Sequence, residues 1–160
     1  WISKRQYGKV LTPIKTLYVR CRPLLDFTRK LQKTEAKLEL PTRDKILIRN
    51  YVATLNRCPF CSDLSKYKAE VYQVERQKLM ELINFQESDR FSEKEKALLS
   101  YVDEISTTKH VSDETYDQLR DYFSEHEIVE ITWICATEHY YNLMTIPLEI
   151  PSDNLSGDIP

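Results

Sequence analysis

The chain has 160 residues, 41% of them hydrophobic, and sets 23 Lys and Arg against 25 Asp and Glu for a formal charge of −2. That length supports one domain with its own core, and charges of both signs interspersed along the chain disfavour a polyanion-binding surface, so nucleic acid is not an expected partner. No stretch approaches the roughly 20 apolar residues that cross a bilayer, and residues 1–10 lack the apolar run of a signal peptide. The expected setting is therefore cytoplasmic, with no membrane partner.

Only two glycines occur, Gly8 and Gly157. With almost no residue suited to tight positive-φ turns, hairpins are disfavoured and an all-α fold of six to seven helices in a single domain is expected. Residues 13–38 carry helical spacing in Leu24, Leu25, Phe27, Thr28 and Leu31, with a break near Pro23. Thr42, after Pro41, is the expected N-cap of a helix bearing Ile46, Leu47, Tyr51, Val52 and Leu55.

Pro59 suits the first turn of the next helix, where its missing N–H costs nothing, and Phe60, Leu64, Tyr67, Val71 and Val74 follow as an apolar stripe. A short helix is expected over residues 77–85. Ser92 with Glu95, and Ser124 with Glu127, form capping-box patterns, and Ser112 with Asp113 and Glu114 marks another helix start. The last helix carries Ile128, Ile131, Ile134 and Cys135, continues to about Met144 and stops near Pro147. Residues 1–150 then form the domain. Residues 151–160, with Pro, Ser, Asp, Asn and Gly, form a C-terminal tail expected to be mobile or to wrap a partner.

Four cysteines are present. Cys21 and Cys135 stand singly in apolar surroundings and are expected to be buried core thiols. Cys58 and Cys61 are different, because two thiols separated by two residues at the mouth of a helix reach one another as a disulfide. The helix N-terminus presents partial positive charge and unpaired N–H groups that lower a thiol pKa, and the thiolate is the species that attacks a peroxide oxygen or a disulfide sulfur. A zinc site would need two more ligands, yet no second C-x-x-C is present and His110, His126 and His139 are scattered. Neither a metal nor another cofactor is called for. Two inert core cysteines are the remaining bland alternative.

Cys58-Pro59-Phe60-Cys61 looks like the glutaredoxin tetrapeptide, but the strands that a thioredoxin fold needs are absent. Residues 55–64, Leu-Asn-Arg-Cys-Pro-Phe-Cys-Ser-Asp-Leu, resemble the L-N-G-C-x-x-C-x-D core of the carboxymuconolactone decarboxylase and alkylhydroperoxidase D-like family. Residues 91–99 and 123–132 look like that family's later helices, and Glu138-His139-Tyr140-Tyr141-Asn142 resembles its closing E-N-x-x-N segment. The resemblance implies an all-α domain, a homo-oligomer, and either lactone decarboxylation without cysteines or peroxide reduction through the dithiol. Retention of both cysteines favours the second, with Cys61 attacking, Cys58 resolving, a peroxide or disulfide as substrate and a thiol of unknown identity as reductant.

In the family's motif a glutamate twelve residues before the first cysteine and a histidine four after the second form a proton relay. Here those positions are Ile46 and Ser65. A side chain four residues beyond Cys61 lies over its thiol on the same helix face, but a serine there is not a general base. Candidates to support the thiolate or relay a proton are therefore Asp63, Ser65, Lys68, Glu138 and His139. The expected function is a thiol-dependent peroxidase-like or disulfide oxidoreductase with an incomplete relay. A non-catalytic oligomeric binding or redox-sensing module on the same scaffold is the alternative, and a cofactor-free lactone decarboxylase ranks last.

Overall fold

The computed structural model describes residues 2–157, whose regular structure is all helical, with no strand among them. The α-helices are α1 (Ile2–Tyr7), α2 (Thr12–Thr16), α3 (Arg22–Glu35), α4 (Thr42–Leu55), α5 (Pro59–Val71), α6 (Arg76–Met80), α7 (Glu93–Thr107), α8 (Asp113–Arg120) and α9 (Glu125–Thr145). Single 3-10 turns lie at Tyr18–Arg20, Leu82–Asn84 and Ile146–Leu148. The all-α class is as expected, but the described residues hold nine α-helices where six or seven were expected. One cause is proline: Pro13 and Pro23 each occupy a first helical turn, so the region expected as one broken helix over residues 13–38 divides into α2, a 3-10 turn and α3, and α1, over residues for which no helix was expected, is the other addition. Residues 77–85, expected as one short helix, divide into α6 and a 3-10 turn without a proline between them.

Helix starts follow local chemistry. Ser92 and Ser124 each accept from the backbone N–H three residues on, while Glu95 and Glu127 accept in return, completing both capping boxes. Ser112 caps α8 by accepting from Thr115 N–H. At α4 the expectation needs correction: Thr42 is the first helical residue, and Pro41 precedes it with no side-chain cap.

The scarcity of glycine does not prevent positive-φ turns. Arg57 (φ 52°), Gln73, Lys109, Glu149 and Asn154 all adopt the left-handed region. At the end of α4, Cys58 N–H donates to Ala53 C=O at 3.0 Å and Arg57 N–H to Thr54 C=O at 3.1 Å, the paired bonds of a Schellman turn. Arg57 thus stands where the resembled motif has glycine.

α4 is the central element, buried over Ile46–Ala53 and packed between α5, α7 and α9. Its outer half joins Leu98, Leu99, Val102, Leu119, Ile131 and Ile134 in the main core. Each such side chain contributes about 1.5–3 kcal/mol by leaving water. A second, smaller cluster gathers Leu11, Ala53, Cys58, Phe60, Cys61 and Ile150. Two expectations about burial fail. Cys21, in the junction before α3, is exposed, and Val71 at the end of α5 is 58% exposed. The buried line of α5 is instead Phe60, Cys61, Ser65 and Ala69, with Asp63.

Residues 151–157 are not loose. Asp63 accepts from the N–H groups of Asp153 (3.1 Å), Leu155 (2.9 Å) and Ser156 (2.9 Å) and from the Ser156 hydroxyl (2.9 Å). Asp153 in turn accepts from Thr12 N–H (2.8 Å) and the Thr12 hydroxyl (2.7 Å), clasping the tail to the N-terminal segment. The tail was expected to be mobile or to wrap a partner, and it wraps its own domain; residues 158–160 lie outside the described part. No helix among the described residues is long and apolar enough to cross a membrane.

Candidate functional site

The Schellman turn that ends α4 delivers Cys58 directly into the N-cap position of α5, with Pro59 in the first turn. Cys58 and Cys61 are joined as a disulfide with their Cα atoms 5.3 Å apart. Cys61 N–H donates to Cys58 Sγ at 3.2 Å, so the sulfur caps its own helix. Both residues are buried, at 0% and 3% exposure, beneath Leu11 and Ile150 from the two terminal segments.

One polar side chain reaches both sulfurs, and sequence reasoning missed it. Thr145 Oγ1, on the last residue of α9, lies 3.2 Å from Cys58 Sγ and 3.5 Å from Cys61 Sγ. Its hydroxyl also meets the carbonyls of Tyr141 (3.0 Å) and Asn142 (3.2 Å). The only available signal was helical phase: Thr145 is two turns beyond Glu138 on one face of α9. The expectation that α9 ends at about Met144 stops one residue short of it.

The five candidate supporting residues fall into separate places. Ser65 is buried one turn beyond Cys61, and Ile46 is buried opposite on α4. Asn50 Nδ2 donates to the backbone carbonyls of both, Ile46 C=O (2.9 Å) and Ser65 C=O (3.3 Å), and so ties α4 to α5 at this point. Asp63 is turned to the tail. Burial alone would raise its carboxyl, but the N–H groups of Leu155 and Ser156 and nearby serine hydroxyls outweigh that and hold its pKa below the ordinary value.

Lys68 is half-buried, and its pKa is lowered by burial and then by the Arg49 charge, against the pull of Glu35 and Glu138. Arg49 itself is buried, bonded to Glu138 at 2.6 Å and Glu35 at 2.5 Å, with the Tyr141 ring 5.7 Å away. Burial alone would lower its pKa, but these two carboxylates keep it raised.

Glu138 orders a chain of hydrogen bonds that leads away from the disulfide. Its Oε1 accepts from Asn142 Nδ2 (2.8 Å), and Asn142 Oδ1 accepts from Asn56 Nδ2 (2.8 Å). Asn56 Nδ2 also meets His139 Nδ1 at 2.9 Å. A carboxylate only accepts, so each amide orientation follows, and His139 Nδ1 must be an acceptor with the proton on Nε2. That Nε2 faces Ser106 Oγ on α7 at 3.0 Å, and Ser106 lies 3.5 Å from Cys135 Sγ. Burial and then the Lys109 charge lower the His139 pKa, and burial raises that of the Cys135 thiol. Among the described residues no hydrogen bond joins Glu138 or His139 to either sulfur of the pair.

A cleft of about 550 Å³ opens beside the end of α9, lined by Leu17, Arg20, Met144, Leu148 and Ile150 among others. No cysteine lines it. Among the described residues no three His, Cys, Asp or Glu side chains are grouped to hold a metal ion.

No family model matches the chain. It is 24% identical over 163 aligned positions to the uncharacterized protein YnjA of Escherichia coli, covering 97% of this chain and 86% of the relative. Its fold is similar to that of an uncharacterized peroxidase-related protein from Ralstonia eutropha, described as an alkylhydroperoxidase AhpD core. The TM-score is 0.83 at 18% identity, over 98% of this chain and 86% of the other. A cysteine-to-alanine variant of the debrominase Bmp8 in complex with 2,3,4-tribromopyrrole gives a TM-score of 0.83 at 24% identity, over 96% and 82%. The chain thus resembles the alkylhydroperoxidase D-like family in its fold as well as in the residues around its dithiol.

Proposed function

We propose that the protein is a thiol-dependent oxidoreductase of the peroxidase-like kind within the alkylhydroperoxidase D-like family. The observation that supports this reading is the Cys58–Cys61 pair at disulfide separation on the N-terminus of α5. In the reduced protein the Cys61 sulfur attacks the outer peroxide oxygen. The O–O bond breaks, an alcohol leaves and Cys61 becomes a sulfenic acid. Cys58 then attacks that sulfur, water leaves and the disulfide forms, to be reduced again by an external dithiol. With Ile46 and Ser65 in the relay positions, turnover is expected to be slow.

The test is peroxide consumption by the reduced protein with a dithiol as electron donor. Consumption is expected in the wild type and lost in Cys61→Ser. Normal turnover in that variant would overturn the proposal.

A second reading is a redox-sensing module, cytoplasmic and homo-oligomeric, in which oxidation changes assembly rather than serving turnover. It is favoured by the burial of both sulfurs beneath the clasped terminal segments. Sizing the reduced and oxidised proteins side by side tests it, and identical oligomers in both states count against it.

A further inference from the structure

Within the peroxidase-like reading, on which this inference rests, we propose that Thr145 and the Cys61 backbone N–H hold Cys58, rather than Cys61, as the resting thiolate. Cys58 then serves as the internal base in place of the missing histidine.

The argument starts from the surroundings. The pair sits among Leu11, Ala53, Phe60 and Ile150, where a bare thiolate is costly, so the few available donors decide which sulfur carries the charge. In the disulfide, Cys58 Sγ accepts from the Cys61 N–H at 3.2 Å and has the Thr145 hydroxyl, a donor available to it on reduction, at the same distance. Cys61 Sγ has only the same hydroxyl, at 3.5 Å, and its own N–H is committed to Cys58.

Thr145 is also able to respond to the redox state. A hydroxyl has one proton, and beside a disulfide, a weak acceptor, that proton goes to the carbonyl of Tyr141 or Asn142. Beside a thiolate the charge-assisted bond is about twice as strong as a neutral one, and the hydroxyl rotor turns from carbonyl to sulfur.

The proton accounting then closes inside the pair. As the Cys61 sulfur attacks the peroxide, its S–H bond breaks and the proton passes to the Cys58 thiolate next to it. The O–O bond breaks, and the departing alkoxide takes that proton from Cys58 and leaves as the alcohol. Cys58, a thiolate again, attacks the Cys61 sulfenic sulfur. The S–O bond breaks, hydroxide takes a proton from solvent, and the disulfide is reduced by the external dithiol. One peroxide is reduced by two electrons and the dithiol is oxidised by two.

The experiment reads each thiol separately. The reduced full-length protein, labelled with ¹³Cβ-cysteine, is titrated by NMR as Cys61→Ser, to isolate Cys58, and as Cys58→Ser, to isolate Cys61, since titration of the intact pair belongs to neither residue alone. Cys58 is expected to titrate about one pH unit or more below Cys61. Adding Thr145→Val is expected to raise the Cys58 midpoint by about one pH unit, a tenfold loss of thiolate, and Thr145→Ser to restore it. A Cys61 midpoint below that of Cys58 overturns the inference, as does a Cys58 midpoint indifferent to Thr145→Val. The first comparison needs no change at Thr145, so a poorly folded Thr145→Val leaves the test intact. Peroxide consumption is measured in parallel. Cys61-dependent consumption with the thiolate on Cys61 sinks this inference alone, whereas a Cys58 thiolate without any consumption sinks the peroxidase reading and leaves the thiolate assignment standing.

Discussion

Replacing Asp63 with alanine removes the fastening of the C-terminal tail over the dithiol. Three backbone N–H groups and one hydroxyl converge on this carboxylate from residues 153–156, and Asp63 is only 6% exposed. Hydrogen bonds to a charged group are worth about 1.5–3 kcal/mol each, but the released segment regains water contacts and about 1 kcal/mol of backbone entropy per residue. A net loss of about 3 kcal/mol follows, or roughly a 100-fold gain in the population of the opened tail. Because Ile150 and Leu155 pack on the cysteine cluster, that opening should govern access to the disulfide. The assay is the rate of Cys58–Cys61 reduction by dithiothreitol, followed by alkylation and mass, beside far-ultraviolet circular dichroism to confirm that the helices remain. A wild-type reduction rate in well-folded Asp63→Ala would refute the reasoning. The pH dependence has a definite sign. With its folded pKa held below the unfolded value near 3.9, Asp63 contributes fully above that value, and the contribution is lost as pH falls through the folded pKa. Because dithiol thiolate is scarce in acid, this comparison is read with a phosphine reductant, and the wild-type rate should rise toward that of Asp63→Ala measured at the same pH as Asp63 becomes protonated.

Three further outcomes are expected. Glu138→Ala leaves the buried Arg49 with Glu35 alone and should cost about 3 kcal/mol, seen as a lower urea midpoint; an unchanged midpoint would count against a buried, interdependent pair. Arg57→Gly relieves a left-handed backbone and should stabilise the fold by about 1 kcal/mol in the same assay, whereas destabilisation would contradict the turn geometry. Installing Glu at Ile46 together with His at Ser65 should raise peroxide consumption by about 100-fold if the relay is what the chain lacks, despite some loss of stability from crowding two buried positions. An unaltered rate in a folded double variant would show that the relay is not limiting.

What was legible in the sequence was local. Both capping boxes, the start of α5 at Pro59 and the proximity of Cys58 to Cys61 need only residues three or four apart, and they stand as read. What was not legible depends on long-range contact. Asp63 finds its partners some 90 residues away, and Thr145 reaches the sulfurs from more than 80 residues along the chain. Periodicity marks an apolar side of a helix but not whether another element covers it, which is why Val71 and Cys21 were expected to be buried and are exposed. Composition misled in a similar way. Few glycines did discourage hairpins, yet Schellman turns formed on Arg57 and Gln73, because helix-end hydrogen bonds outweigh the roughly 1 kcal/mol of strain that each left-handed residue carries.

Ile46 and Ser65 stand where the resembled family's motif has a glutamate and a histidine, and the two departures are physically linked. A lone histidine at 65, buried against α4, would lack the carboxylate that orients it, and a lone glutamate at 46 would be an unpaired buried acid held protonated. Here Ile46 and Ser65 carry neither group, and Asn50 joins their two backbone carbonyls with neutral bonds. Arg49, Glu35 and Glu138 form a separate, largely buried ionic group on α3, α4 and α9. There Glu138 sets the direction of the Asn142, Asn56 and His139 bonds and keeps the imidazole neutral, with Nδ1 occupied by an amide donor. Protonating His139 would turn that acceptor into a donor facing a donor, so this histidine is a fixed link and not a substitute base. The dithiol is left with two neutral donors, the Cys61 N–H and the Thr145 hydroxyl, and both act on the same sulfur. If Cys58 is the resting thiolate as proposed, those two donors stabilise it in place, and the proton is exchanged across the pair rather than drawn along a relay.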